Sequence, residues 1–165
     1  AAKNIGLDQI SFLAADVSSE AFNRPGGWSE EETQRVSLTA SETTEFEEIL
    51  ERSFLDLADA YRTRFVAESP SKMKRIARYY KAVNNMDVFP ETTCNAPWVS
   101  AVVEADGNLM PCFFHKPYGN IFEKDFLKVI NSPAGIRFRK DLDMSVDETC
   151  KKCVCSLKIA PYQML

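Results

Sequence analysis

At 165 residues, with 45% hydrophobic and 11% aromatic side chains, the chain is long enough to bury a core and describes one or two compact units rather than a disordered tract. The formal charge of -4 argues against a nucleic-acid groove as the main business, because phosphate binding needs a clustered excess of Lys and Arg. The one basic cluster, Lys72, Lys74, Arg75, Arg78 and Lys81, reads as a solvated helix face. No apolar stretch is long enough to span a bilayer and no leader pattern opens the chain, so a cytoplasmic protein without a membrane partner is expected.

In chain order, residues 4–7 read as the tail of a helix with a Gly turn, and residues 9–15 (QISFLAA) as a short buried strand. A polar excursion through Arg24-Pro25-Gly26-Gly27 to about Thr39 reads as a loop. Residues 44–62 place Phe46, Ile49, Leu50, Leu57, Ala58 and Tyr61 at helical spacing, with Thr44 and Glu47 as a capping box. Residues 64–67 read as a second strand, and Ser69-Pro70 as the N-cap and first position of a helix carrying Met73, Ile76, Tyr80 and Val83. Two strands and two helices cannot cover a parallel sheet by themselves, so this βαβα run looks like the end of a larger α/β domain. Beyond the Asn84-Asn85 break and Pro90, residues 98–104 and 109–112 are short β-rich runs joined by Asp106-Gly107-Asn108, a hairpin signal. Helices over about 123–131 and after Pro133 follow.

The chemistry sits at the C-terminal end. Twelve residues separate Cys94 from Gly107, four separate Gly107 from Cys112, and Cys150 and Cys153 form a C-x2-C pair. Thiols spaced this way suit an iron-sulfur cluster or a tetrahedral zinc, both of which take soft sulfur ligands. Five cysteines, an odd number concentrated at one end, fit a metal better than a secreted disulfide framework. His115, the only histidine, stands at C-x2-H from Cys112, so a zinc site of Cys112, His115, Cys150 and Cys153 is the alternative. Trp98, Phe113, Phe114 and Phe122 read as core or as a wall that keeps water from the metal.

The segment Cys94-Asn95-Ala96-Pro97-Trp98, the Asp106-Gly107 turn, Pro111-Cys112, Gly119-Asn120-Ile121, Asn131-Ser132 and the Cys150/Cys153 pair resemble the auxiliary-cluster extension of radical S-adenosylmethionine enzymes, the SPASM or shorter twitch domain. The resemblance covers roughly residues 94–157. It implies one auxiliary 4Fe-4S cluster on Cys94, Cys112, Cys150 and Cys153, with Cys155 as a possible alternate ligand, that binds substrate or relays an electron. The full SPASM pattern has further cysteines for a second cluster, whereas only Cys155 follows here.

The resemblance also implies a fold: residues 1–88 as the last two βα units of a partial (β/α)6 barrel, then residues 89–165 as a small α+β SPASM/twitch domain with a β-hairpin and a cysteine-rich C-terminal loop. The C-x3-C-x2-C motif that binds the radical-generating cluster and S-adenosylmethionine is not in this chain. The expected partners are therefore the N-terminal barrel half of the same enzyme, a reductant protein, and a peptide or small-molecule substrate. As part of a radical S-adenosylmethionine oxidoreductase or modifying enzyme, the chain alone is expected to be inactive. A zinc-stabilised structural or interaction module without a redox role is the rival from another class.

Overall fold

Two units divide the chain, one of Ala1–Val17 and Ser29–Pro90, the other of Ser18–Trp28 and Glu91–Leu165. A computed structural model describes residues 2–22 and 24–160 of the chain. It is mostly helical, with one small antiparallel sheet.

In the first unit a 3-10 turn, Ala2–Ile5, ends at Gly6, whose φ of 78° suits glycine. Four helices follow: α1 Glu30–Val36, α2 Ala40–Asp56, α3 Ala58–Arg62 and α4 Pro70–Val83. Helices α2 and α4 pack together, burying Leu50, Met73 and Ala77 under Phe46, Phe54, Tyr61 and Ile76. Helix α4 starts as its cap chemistry dictates. The Ser69 hydroxyl accepts the Lys72 N–H at 3.3 Å, and Pro70, which has no N–H to leave unpaired, takes the first turn.

Helix α2 starts five residues earlier than the Thr44/Glu47 pattern suggests. Thr39 is the cap: its hydroxyl accepts from the Glu42 N–H, and its own N–H donates to the Glu42 carboxylate at 2.9 Å. Thr43, fully buried, returns its hydroxyl to the Thr39 carbonyl, while Thr44 returns its own to Ala40 and cannot cap. A second capping box, Ser29 with Glu32, opens α1 inside the stretch expected to be loop.

The expected strands at 9–15 and 64–67 are reduced to one parallel bridge, Ile10 with Val66, closed by Ile10 N–H to Phe65 C=O (2.7 Å) and Ala67 N–H to Ile10 C=O (2.9 Å). Side chains take over the rest of the ladder's work. The buried Glu68 carboxylate accepts from the Ser11 hydroxyl and the Phe12 N–H, both at 2.8 Å, and the Tyr80 hydroxyl accepts the Ala15 N–H at 2.9 Å. Backbone groups satisfied in this way form no sheet, and no barrel unit is shown by the described residues.

The second unit contains α5 Ala96–Val99, β1 Val102–Val103, β2 Asn108–Met110, β3 Gly119–Asn120, α6 Phe126–Ile130, α7 Pro133–Asp141 and α8 Glu148–Lys151. The strands lie in the order β1-β2-β3, antiparallel, with Val103 opposite Leu109 and Leu109 opposite Gly119. Gly107 makes the β1-β2 turn at φ 86°, where a Cβ would stand 2.6 Å from both the Asn120 amide oxygen and the Phe122 ring. Residues 98–104 are not one strand. Pro97 sits in the first turn of α5, whose Ala96 carbonyl takes the Ser100 N–H at 2.9 Å, so Trp98 and Val99 are helical and β1 is shorter. Strand β2 stops at Met110 because Pro111 has no N–H to give.

Both tryptophans of the chain, Trp28 and Trp98, belong to this unit. The Ser18–Trp28 segment joins it through Phe22, whose ring lies 5.4 Å from that of Phe113 and 6.1 Å from that of Phe114. Among the described residues, no helix is long and apolar enough to cross a membrane.

Candidate metal centre

Cys94 precedes α5, Cys112 follows β2 and Pro111, Cys150 is carried on α8, and Cys153 and Cys155 lie just beyond that helix. All five line one cavity, together with His115 and the apolar Pro97, Phe114, Leu142 and Met144. None is in a disulfide. Of the four aromatics read as core or as a wall beside the metal, Phe114 is the one that lines the cavity. Trp98 on α5 is 47% exposed, Phe113 is 46% exposed, and Phe122 is spent on the Gly107 turn.

Local hydrogen bonds build this arrangement. Asn95 clamps the chain after the last cysteine: its N–H donates to the Leu157 carbonyl, and its side chain both donates to and accepts from Ile159. Asp147 caps α8 by accepting the Cys150 N–H at 2.8 Å, which fixes where Cys150 enters the cavity. The Cys153 N–H returns to the Cys150 carbonyl at 3.2 Å. Backbone donors also point at sulfur. Cys94 Sγ accepts the N–H groups of Ala96 and Leu157, both at 3.4 Å, and the N–H groups of Phe114 and His115 serve Cys112 as that of Cys155 serves Cys153.

Electrostatics divide the thiols from any charge they must carry as ligands. Burial pushes the Cys112 thiol up, and it drives Cys150 far up, with help from the neighbouring Asp147 carboxylate. Cys153 is pushed up to about 12 by burial and by the neighbouring thiols. The His115 imidazole is lowered by burial, against the pull of Asp147. Thiols held neutral by their surroundings turn into ligands when a cation supplies the missing positive charge, since metal binding drives the protons off.

His115 lies inside the site. Its Nε2 is 3.4 Å from Cys150 Sγ and 3.7 Å from Asp147 Oδ1, and its ring packs edge-on against Phe138 at 4.9 Å. Asp147 was not among the residues singled out from the sequence, although an Asp three residues before Cys150 at a helix start is a capping signal. The Ser18–Trp28 segment left no such signal.

The donor set fits an iron-sulfur cluster: several thiols around one cavity, apolar walls, and N–H groups aimed at sulfur, the features that hold such a cluster and set its potential. Residues 94–154 match the SPASM family, an iron-sulfur cluster-binding domain. No curated protein and no solved structure matches the chain.

Proposed function

Residues 94–154 are a SPASM domain, which binds iron-sulfur clusters, and we propose that they carry a single auxiliary 4Fe-4S cluster on Cys94, Cys112, Cys150 and Cys153 within the C-terminal region of a radical S-adenosylmethionine enzyme. The observation that carries this reading is the convergence of thiols far apart in sequence on one cavity. Cys155 stands at the same cavity as an alternate ligand, and its exposure suits exchange better than permanent ligation. When bound, the cluster supplies a one-electron centre or a coordination position for substrate. The chain's own part is to present thiolates, exclude water with Pro97, Phe114, Leu142 and Met144, and direct N–H groups at Cys94, Cys112 and Cys153. The loops around Cys94 and Cys153 belong to no helix or strand.

In the same reading, residues 1–88 are the closing edge of a partial barrel supplied mainly by the N-terminal half of the enzyme. Support comes from the Ile10–Val66 bridge, a parallel pairing made across intervening helices as in a βαβ unit, followed directly by α4. Substrate and reductant protein would meet the whole enzyme. No three cysteines here have the close spacing that a radical-generating cluster needs, so the chain alone produces no 5′-deoxyadenosine from S-adenosylmethionine.

Anaerobic reconstitution followed by iron, sulfide and zinc analysis tests the reading. About four iron and four sulfide per chain are expected, falling sharply in the Cys94→Ser and Cys112→Ser variants. One zinc and no sulfide would instead identify a zinc-stabilised module.

A further inference from the structure

We propose that His115, Asp147 and Cys150 form a site for a single borderline divalent ion of the zinc class, with a ligand set different from that of the cluster. Because the proposed cluster also needs Cys150, the ion and the cluster exclude each other; this consequence rests on the four-thiol reading, whereas the ion site itself does not.

The geometry is that of ligands around one ion. The imidazole Nε2, the carboxylate Oδ1 and the Sγ all lie within 4.8 Å of one another. Zinc bonds of about 2.0–2.3 Å at tetrahedral angles put a nitrogen about 3.6 Å from a sulfur and about 3.4 Å from an oxygen. The observed separations, 3.4 Å for His115 Nε2 to Cys150 Sγ and 3.7 Å for His115 Nε2 to Asp147 Oδ1, are within a few tenths of an ångström of those values, and the third pair lies within 4.8 Å.

The three side chains are also held in place without an ion. His115 is 10% exposed and pinned by Phe138, Cys150 is buried on α8, and Asp147 is fixed by its bond from the Cys150 N–H. Imidazole, thiolate and carboxylate together select zinc, cobalt or ferrous iron over calcium or magnesium, which want oxygen alone. Water or another ligand would take the fourth position, since Cys112 and Cys153 line the same cavity but are not among the ligand atoms that lie within 4.8 Å of one another.

The test uses the full chain, metal-free and reduced under anaerobic conditions, titrated with cobalt(II), whose visible bands report tetrahedral coordination and whose near-ultraviolet charge-transfer bands report thiolates. The expected result is tight binding with a mixed nitrogen, oxygen and sulfur spectrum. His115→Ala and Asp147→Asn should each weaken binding at least about tenfold, the lower end of what even an outer-shell partner costs. Asp147→Asn keeps an oxygen to cap α8, so a loss there is not a folding defect, and circular dichroism checks both variants. Lys128→Ala, on α6 and outside the cavity lining, should bind cobalt unchanged. The proposal is overturned if His115→Ala binds as tightly as the parent, which would leave the His115 contact a plain hydrogen bond, or if Cys94→Ser abolishes a thiolate-only spectrum. In a second arm, zinc-loaded chain should assemble cluster far more slowly than metal-free chain; equal rates would end mutual exclusion. Metal-free chain that assembles no cluster at all would sink the four-thiol reading and leave the cobalt result standing.

Discussion

The two units solve the same problem by different means. In the first, α2 of 17 residues and α4 of 14 bury their apolar faces on each other around Leu50, Met73 and Ala77, and this packing is what holds most helices in proteins. In the second, the longest helix has nine residues and the strands two or three, so Leu109, Met110 and Val129 form only a thin core beside a cavity lined by five thiols. A small unit of this kind gains from a metal cross-link what it lacks in buried apolar area. The contrast teaches where to look for metal-dependent folding: at the short elements rather than the long helices.

The sharpest way to break this contrast is to remove the metal. Hydrogen exchange on chain stripped of iron and zinc should show amides around Cys150 and Cys153 losing most of their protection, on the scale of the roughly 10 kcal/mol with which structural zinc folds small domains. Amides of α2 and α4 should hardly change. Equal losses in both units, or none around α8, would make the cross-link irrelevant to stability. The converse perturbation is Leu50→Ala, which should cost about 3 kcal/mol by leaving a cavity between α2 and α4, measured by denaturant unfolding of the first unit, while iron uptake stays at the parent level.

A smaller effect concerns Glu68. Burial alone would raise its carboxyl, but the Phe12 N–H, the Ser11 hydroxyl and nearby Lys72 hold it below its ordinary value of 4.5. A depressed folded value means that the carboxylate's contribution is complete above the unfolded value and is lost as pH falls through the folded one. Stability of the first unit should therefore be flat above about pH 5 and decline in more acid solution. Glu68→Gln, expected to cost about 1 kcal/mol near neutrality, should flatten the acid limb. An unchanged limb would assign it to other carboxylates.

Local chemistry was readable in the sequence; partners were not. Ser69-Pro70 announced α4 and Asp106-Gly107 announced the hairpin because a cap or a positive φ is decided by the residues themselves. Residues 9–15 had the composition of a strand, yet a strand needs a neighbour, and Glu68 and Tyr80 met its backbone with side chains instead. Thr39/Glu42 and Thr44/Glu47 are equally good capping pairs on paper. What decided between them was the burial of Thr43, whose hydroxyl bonds the Thr39 carbonyl and accepts from the Asn84 side chain, a tertiary contact. At the metal centre the thiol spacing was visible, whereas the approach of Asp147 to His115 joins residues 32 positions apart and leaves no local trace.

The placement of the tryptophans makes the molecule its own two-channel instrument. Indole emission, excited to the red of tyrosine, arises wholly from the unit that carries the thiols, since Trp28 and Trp98 both lie there. Far-ultraviolet circular dichroism draws mainly on the other unit, through α2 and α4. A single heating experiment followed in both signals therefore separates the two transitions without any label. Coincident curves would mean that the units unfold as one, and divergent curves would give each its own stability.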